Sequence, residues 1–374
     1  MSVVAGIRPH QFSSDKVFFH TRRLQEVLGG KVVMPSVYEI SPVGYCTQKC
    51  VYCVSRGYQS RLHLTKSQME NIISQIAEVG GLAITFTGGG EPLLHPYLAG
   101  AIELASDKGL SIGLITNGAV RLSEQVVNTL VDHLSFCRIS LDTIDKALYR
   151  QLRGVDTLSL VLKNIEALVR AKVRRGAQVL LGVQVVWVNQ SHSDIEATIR
   201  YFLGAGVDFV QIRPVDNVPS DTGFYPPFYL KADEHFLRGL QERFSTSAFQ
   251  VLLSADKWNE VFEGRLGKGY TGCPGANFTA AIGHDYRVYF CCTHIGNEAF
   301  YLGDLREAPL RKILLGSKRR TLIGHVEHSH CQNQCRNHVL NKIITSLQNM
   351  DDKMVQGIIA TKASQPKPLH WEFL

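Results

Sequence analysis

An α/β fold built on a parallel sheet is predicted by three observations. Apolar, β-branched runs alternate with amphipathic stretches of helical period six times in succession. The runs are apolar almost without interruption, as strands buried on both faces are. The unusual polar and glycine-rich residues follow these runs, where α/β folds place their chemistry. A doubly wound sheet and a partial βα barrel both satisfy this pattern.

The predicted strands are Val37–Ile40, Leu82–Thr87, Leu110–Thr116, Phe136–Leu141, Val179–Trp187 and Val207–Arg213. Between them lie predicted helices at Ser67–Val79, Tyr97–Lys108, Ser123–His133, Leu158–Lys172 and Ser191–Leu203, with one more near Lys16–Leu28. Ser67 and Ser123 are suited to capping their helices, and Gly109, Gly176 and Gly206 follow the ends of others. On the rim so defined, three cysteines follow the first strand, Thr87–Pro92 the second and Thr116–Gly118 the third. Ser140 and Asp142 end the fourth strand, Gln184 lies in the fifth and Arg213 closes the sixth.

The 374 residues are too many for one small core, so a large domain and a smaller one are expected. A hydrophobic content of 45% with 20% charged residues is that of a soluble globular protein. The chain opens without an apolar leader, and its longest uncharged apolar stretch, 177–190, is too short to cross a bilayer. A cytoplasmic protein without membrane partners is expected. The formal charge is +7, with basic runs at Arg170–Gly176 and Gly316–Arg320. They lack interleaved aromatics and read as solvated helix ends rather than a nucleic-acid surface.

The segment "SPVGYCTQKCVYCVSR", Ser41–Arg56, sets Cys46, Cys50 and Cys53 at C-x3-C-x2-C spacing. A disulfide framework does not suit a cytosolic chain of this size. Structural zinc wants four ligands, and neither His20 nor His63 stands at finger spacing. The remaining reading is an iron–sulfur cluster with one iron left open to a small molecule.

At this point the chain resembles the radical S-adenosylmethionine (SAM) enzymes over roughly Ser36–Pro214, with aromatic Tyr52 just before the last cysteine and the further motifs in order. The resemblance implies a partial (β/α)6 TIM-like barrel and a [4Fe–4S] cluster whose open iron is chelated by SAM. It also implies reductive cleavage of SAM to a 5′-deoxyadenosyl radical, and a low-potential electron donor such as flavodoxin or ferredoxin. Carried onto this chain, it places Tyr52 by the adenine and Gly89, Gly90, Glu91 and Pro92 at the methionine amino group. It puts Asn117 in the SAM pocket, Ser140 and Asp142 at the ribose, and Gln184 and Arg213 among the cofactor contacts.

The C-terminal part has a different texture. After a Pro-rich aromatic connector, Asp216–Leu230, five cysteines follow: Cys273, Cys291, Cys292, Cys331 and Cys335. Four thiolates would close a zinc site. Beside such a core, however, the arrangement resembles the twitch and SPASM auxiliary-cluster domains. The resemblance implies a second [4Fe–4S] cluster on Cys273, Cys291, Cys331 and Cys335, with Cys292 as the alternative to Cys291. Tyr286 stands where the family often has a turn glycine, and His328 and His330, which flank Cys331, read as exposed loop histidines, with spare ligands as the alternative. The implied division is an N-terminal extension 1–35, core 36–214, connector 215–272, auxiliary domain 273–338 and helical tail 339–374.

Four protein thiolates leave the second cluster no open iron, which suits it to accept an electron as a substrate is dehydrogenated. A spare Cys292 would instead donate a hydrogen atom and invert a stereocentre. Cys137 alternates with Ser140 and Asp142 along its strand and so should face away from the SAM side. The short N-terminal region and the likeness of its opening to carbohydrate-pathway relatives point to a small sugar-containing substrate. Modification of a ribosomally made peptide is the alternative, and a non-catalytic iron–sulfur or zinc scaffold is a third class.

Overall fold

β1 (Val37–Ile40), β2 (Ala83–Phe86), β3 (Ser111–Thr116), β4 (Phe136–Ser140), β5 (Leu180–Trp187) and β6 (Phe209–Pro214) pair in parallel, each with its predecessor. Strand order never reverses along this run, so the chain lacks the switch point of a doubly wound sheet and is a partial barrel. The computed structural model describes residues 13–215, 234–254, 257–258, 268–328, 331 and 335–374. The aromatic connector, Asp216–Leu230, and His330 lie outside them.

Both edges of the six strands are extended. β7 (Gln250–Leu253) adds in parallel to β6, a strand the sequence did not announce. On the other side β8 (Thr279–Ile282) pairs in parallel with β1, and β9 (Arg287–Tyr289) and β10 (Tyr301–Asp304) follow as antiparallel neighbours. The ten-stranded sheet runs from β10 to β7 without closing. The C-terminal half therefore continues the sheet of the core.

Local chemistry sets the helix boundaries. The Lys66–Glu78 helix is capped by Thr65, not Ser67: the Thr65 hydroxyl accepts from Gln68 N and the Gln68 side chain accepts from Thr65 N, satisfying two otherwise orphaned donors. Ser123 caps Glu124–His133 as expected. Gly109, Gly176 and Gly206 all have φ between +60° and +80° where their helices end. The helix Lys146–Arg153, absent from the sequence reading, is capped by Asp145 and stopped by Gly154.

Alternate residues of the strands face two different interiors. Tyr38, Ile84, Leu114, Cys137, Ile139, Val183 and Ile212 pack with the helices in one large core. Cys137 thus lies on the helix side, away from Ser140, as its register required. The opposite face lines the barrel. Val37, Ala83 and Phe136, at the starts of β1, β2 and β4, close around Phe373 with Ile115 and Leu180. Burying such a phenylalanine contributes about 2–3 kcal/mol. The C-terminal residues thereby form the floor of the barrel. Lys16 Nζ donates to the His370 carbonyl, His20 Nε2 lies 3.2 Å from the Trp371 carbonyl, and Arg336 donates to that of Leu374.

One basic run departs from expectation. Arg319 is buried, not solvated, because its guanidinium donates to the carbonyls of Val33, Leu314 and Ala276 where three segments meet.

Candidate functional site

The loop after β1 carries the first three cysteines, and the unforeseen helix Lys146–Arg153 holds it. Lys49 N donates to Arg153 O and Val51 N to Leu152 O, so the loop is bonded onto the last turn of that helix. Gly154 permits the contact: its φ is +69°, and a Cβ there would stand 2.9 Å from the Lys49 carbonyl.

The sulfurs are surrounded by donors. Asn117 Nδ2 lies 3.3 Å from Cys46 Sγ, Gln48 N 3.4 Å from the same sulfur, and Arg153 Nη1 3.6 Å from Cys50 Sγ. Burial pushes the Cys46 thiol up to about 11, and Glu91, Cys50 and Cys53 add to the rise; burial likewise raises Cys53. The mutual effect shows the three thiols share one place. N–H donors aimed at sulfur are what a cluster of anionic thiolates requires, so the residues fit an iron–sulfur group. Binding it would displace protons from the thiols.

The end of β2 presses against this loop. A Cβ at Gly88, where φ is +125°, would meet Ser41 Oγ at 2.2 Å, and one at Gly90 would meet the Tyr45 carbonyl at 2.3 Å. Only glycine lets the two backbones approach so closely. Glu91 turns inward. It is 2% exposed, and its carboxylate accepts from Leu93 N at 2.9 Å, Asn117 N at 2.7 Å and the Thr116 hydroxyl. It ties the end of β2 to that of β3, while Pro92 begins a buried turn behind it. What this motif offers a ligand is the backbone of Gly89 and Gly90.

Asp142 is engaged within the protein in the same way. It has no exposed surface and φ +77°, a backbone conformation that favours glycine. Oδ2 faces Arg153 Nε at 2.7 Å and accepts from the Tyr52 hydroxyl, while Oδ1 accepts from Val186 N at 2.9 Å. Its carboxylate fastens the cluster loop to β4 and β5. The Tyr52 ring packs against Leu152, Val188 and Val215, with the Arg153 guanidinium 5.6 Å from its centroid. Asn117, expected in the SAM pocket, spans Cys46 and Thr47. Ser140 and Gln184 are register partners on the barrel-facing side, and Arg213 lies beside Val186.

The second cysteine set resolves as well. Burial pushes Cys273 and Cys331 up to about 12, and each also feels Cys335 and Cys291; Cys335 is raised by burial and feels Cys291. Asn341 Nδ2 lies 3.4 Å from Cys273 Sγ. Cys273, Cys291 and Cys331 pack around Phe290 and Phe300, whereas Cys292 packs separately with Ala281, Tyr289 and Ile295. The expected strand carrying both vicinal cysteines stops at Tyr289, and Cys292 begins a short turn to His294. The hydrogen bond from Cys292 draws the Cys291 thiol down and pushes its own up. Glu39 in β1 raises both.

Among the described residues, no three His, Cys, Asp or Glu side chains gather tightly enough to hold a single metal ion. His328, considered as a spare ligand, instead meets the Tyr270 ring edge-on at 5.1 Å. Tyr270 itself feels Cys335, Cys273 and Cys331, a neighbour the sequence did not signal. Tyr286 has φ +66°, confirming a turn built for glycine; its hydroxyl donates to Asn71 Oδ1 at 3.0 Å and anchors the turn to the Lys66–Glu78 helix.

His284 is the other residue that sequence reasoning missed. It follows β8, and because β8 runs parallel to β1 it reaches the same rim as the cluster loop. Its ring stands 2.7 Å from where a Gly44 Cβ would be and 4.0 Å from that of Gly89. Nδ1 is buried without a hydrogen-bond partner, and burial lowers the ring's pKa against the opposing pull of Asp285.

Comparison with known proteins agrees with this geometry. The radical SAM superfamily model matches residues 40–202, and the iron–sulfur cluster-binding SPASM model matches 273–337. The GTP 3′,8-cyclase of Corynebacterium glutamicum is 30% identical over 252 residues, which are 61% of this chain and 64% of that protein. The probable GTP 3′,8-cyclase of Sulfurisphaera tokodaii is 24% identical over 173 residues, 46% of this chain and 54% of that one. The matches thus span about half to two thirds of these relatives' length. Streptococcus suis SuiB bound to precursor peptide SuiA has a similar fold, with a TM-score of 0.64 at 17% identity, covering 86% of this chain and 76% of that one. No helix among the described residues is long and apolar enough to cross a membrane.

Proposed function

We propose that this chain, a radical SAM protein with a C-terminal SPASM iron–sulfur domain, cleaves SAM reductively and removes a hydrogen atom from a small, sugar-containing substrate. The observation that carries the reading is the three-thiol loop after β1, with Asn117, Gln48 and Arg153 donors on its sulfurs and the Gly89–Gly90 backbone at the same rim. When bound, a cluster on Cys46, Cys50 and Cys53 supplies the electron that cleaves SAM, and one on Cys273, Cys291, Cys331 and Cys335 takes up an electron from substrate.

The chain's own residues do the positioning. Gly89 and Gly90 offer carbonyls to the methionine ammonium, Tyr52 flanks the adenine, and Ser140 faces the ribose. A flavodoxin or ferredoxin is the fitting electron donor. The substrate radical then has two outcomes. Loss of one electron and one proton from a hydroxyl-bearing carbon radical gives a carbonyl. Transfer of a hydrogen atom from Cys292 Sγ to the opposite face inverts the centre and leaves a thiyl, restored by one electron and one proton. The sugar-containing substrate is supported by relatives whose names place their reaction on GTP, a ribose-bearing molecule. A second reading, radical epimerisation or cross-linking of a ribosomal peptide, rests on the fold shared with peptide-bound SuiB.

The test is anaerobic reconstitution with iron and sulfide, followed by dithionite and SAM. Formation of 5′-deoxyadenosine by the wild type but not by Cys46→Ala supports the reading. Formation by both sinks it.

A further inference from the structure

Each cysteine set has a buried asparagine whose amide is turned toward a sulfur by a backbone N–H. Asn341, in the helix His338–Gln348, is 1% exposed. Its Oδ1 accepts from Gly275 N at 2.7 Å, which leaves Nδ2 to face Cys273 Sγ at 3.4 Å. Position 275 has to be small for this, since a Cβ there would stand 2.8 Å from Asn341 Oδ1. The helix is itself fixed against the sheet. Asn337 Nδ2 donates to Thr279 Oγ1 in β8 at 3.0 Å, and Leu340 and Ile344 pack with Phe278. In the first set Asn117 Oδ1 accepts from Ala119 N at 2.8 Å, and its Nδ2 faces Cys46 Sγ.

The strength of these contacts depends on the charge of the sulfur. A thiol is a weak acceptor and a thiolate a strong one, so a buried amide aimed at Cys273 is served best by an anionic, metal-bound sulfur. Thr293 adds a second side chain at the same site, its hydroxyl 3.2 Å from Cys291 Sγ. A metal-bound thiolate carries no proton, so in that state the hydroxyl donates. Reduction of a cluster adds one negative charge, part of which resides on the ligating sulfurs. Donors aimed at those sulfurs therefore stabilise the reduced form more than the oxidised one and raise the reduction potential.

We propose that Asn341 and Thr293 set the reduction potential of the auxiliary cluster, poising it to take one electron from a substrate radical. Both act through the ligating sulfurs and touch no reacting atom, so they are positioning residues. In the step they serve, a hydroxyl-bearing carbon radical gives up one electron to the cluster and one proton to solvent, leaving a carbonyl. An oxidised flavodoxin or ferredoxin then removes the electron from the cluster. The proposal rests on the reading of Cys273, Cys291, Cys331 and Cys335 as ligands of that cluster.

Redox titration followed by electron paramagnetic resonance tests it, in full-length Cys46→Ala protein reconstituted so that only the auxiliary cluster remains. Against that parent, Asn341→Leu should shift the reduction equilibrium about tenfold toward the oxidised form, a fall of about 59 mV for one electron. Asn341→Asp keeps an oxygen for Gly275 N but turns a negative charge to the sulfur, so its potential should fall further. Thr293→Val, which removes only the hydroxyl, should move the potential the same way by a smaller amount. Iron content shows whether each variant retains the cluster. Where Asn341→Leu loses iron, the Asn341→Asp and Thr293→Val potentials decide. Unmoved or raised potentials at full iron content overturn the proposal, and so does loss of iron from all three variants, which would make these residues cluster-holding rather than potential-setting. A parent protein with no reducible cluster would instead refute the auxiliary-cluster reading, and the proposal with it. A normal cluster whose potential ignores these substitutions refutes the proposal alone.

Discussion

Arg153 Nε lies 2.7 Å from the Asp142 carboxylate, and the two side chains are 4% and 0% exposed. This pair joins the helix that holds the cysteine loop to the ends of β4 and β5. Breaking a buried pair by neutralising one partner leaves an uncompensated charge and costs about 3–5 kcal/mol. Asp142→Asn should therefore lower the thermal midpoint and the iron retained on the first cysteine set. Unchanged iron content and midpoint would show the pair is incidental.

The thiol groupings predict iron counts. Wild-type protein should bind roughly eight irons as two [4Fe–4S] clusters. Cys291→Ala should lose about half of them, while Cys292→Ala should keep them, since Cys291 packs with Cys273 and Cys331 and Cys292 does not. Equal loss in both variants would contradict the division, and zinc in place of iron would refute the auxiliary cluster.

The outcome of the reaction is read in deuterated water. If Cys292 donates the hydrogen atom, the product carries one solvent deuterium at the inverted carbon, and Cys292→Ala abolishes its incorporation. A dehydrogenase incorporates none. Mass spectrometry of the product separates the two.

Gly44 and His284 join the two halves of the chain at the rim. A Cβ at position 44 would fall 2.4 Å from Ser60 Oγ and 2.7 Å from the His284 ring. Gly44→Ala should cost about 1–3 kcal/mol by overpacking. Adding His284→Ala should recover part of that loss, because contacting residues are not additive. Strict additivity in chemical denaturation would argue that the ring does not constrain the loop.

Lys16 is fully buried under the barrel floor, and burial pushes its ammonium pKa down to about 7. The unfolded chain binds the proton up to its ordinary pKa, well above that. Between the two values the unfolded state holds more protons, so stability rises with pH in this window. The contribution from pH 7 to pH 9 is about 2 kcal/mol. Lys16→Met should flatten the wild-type rise in midpoint across that range. An equal rise in both proteins would assign the dependence to other groups.

The parallel sheet was legible because its strands are apolar runs and its helices amphipathic, and both periods survive in a single chain. The helix Lys146–Arg153 was not: eight residues with only Tyr149, Leu152 and Arg153 buried give a weak pattern. Its caps, Asp145 and Gly154, were the available signal. Cys46, Cys50 and Cys53 were legible from spacing alone, since one loop holds all three. The partners of Glu91 and Asp142 were not legible, for the opposite reason. A motif shows which residues stand near a site, while the hydrogen bonds that consume a carboxylate come from β3, β5 and a later helix.

The sequence by itself determined the alternation of strands and helices, the two cysteine sets and the rim on which the first one stands. These are local properties, carried by periodicity and spacing. Tertiary structure alone decided the barrel over the doubly wound sheet, the pairing of β8 with β1, and the delivery of His284 to that rim. It also gave Cys291 and Cys292 different packing neighbours and set Gln184, Arg138 and Arg213 on one strand face. Each of these depends on which distant segments become neighbours, and that is set by the packing of the whole sheet.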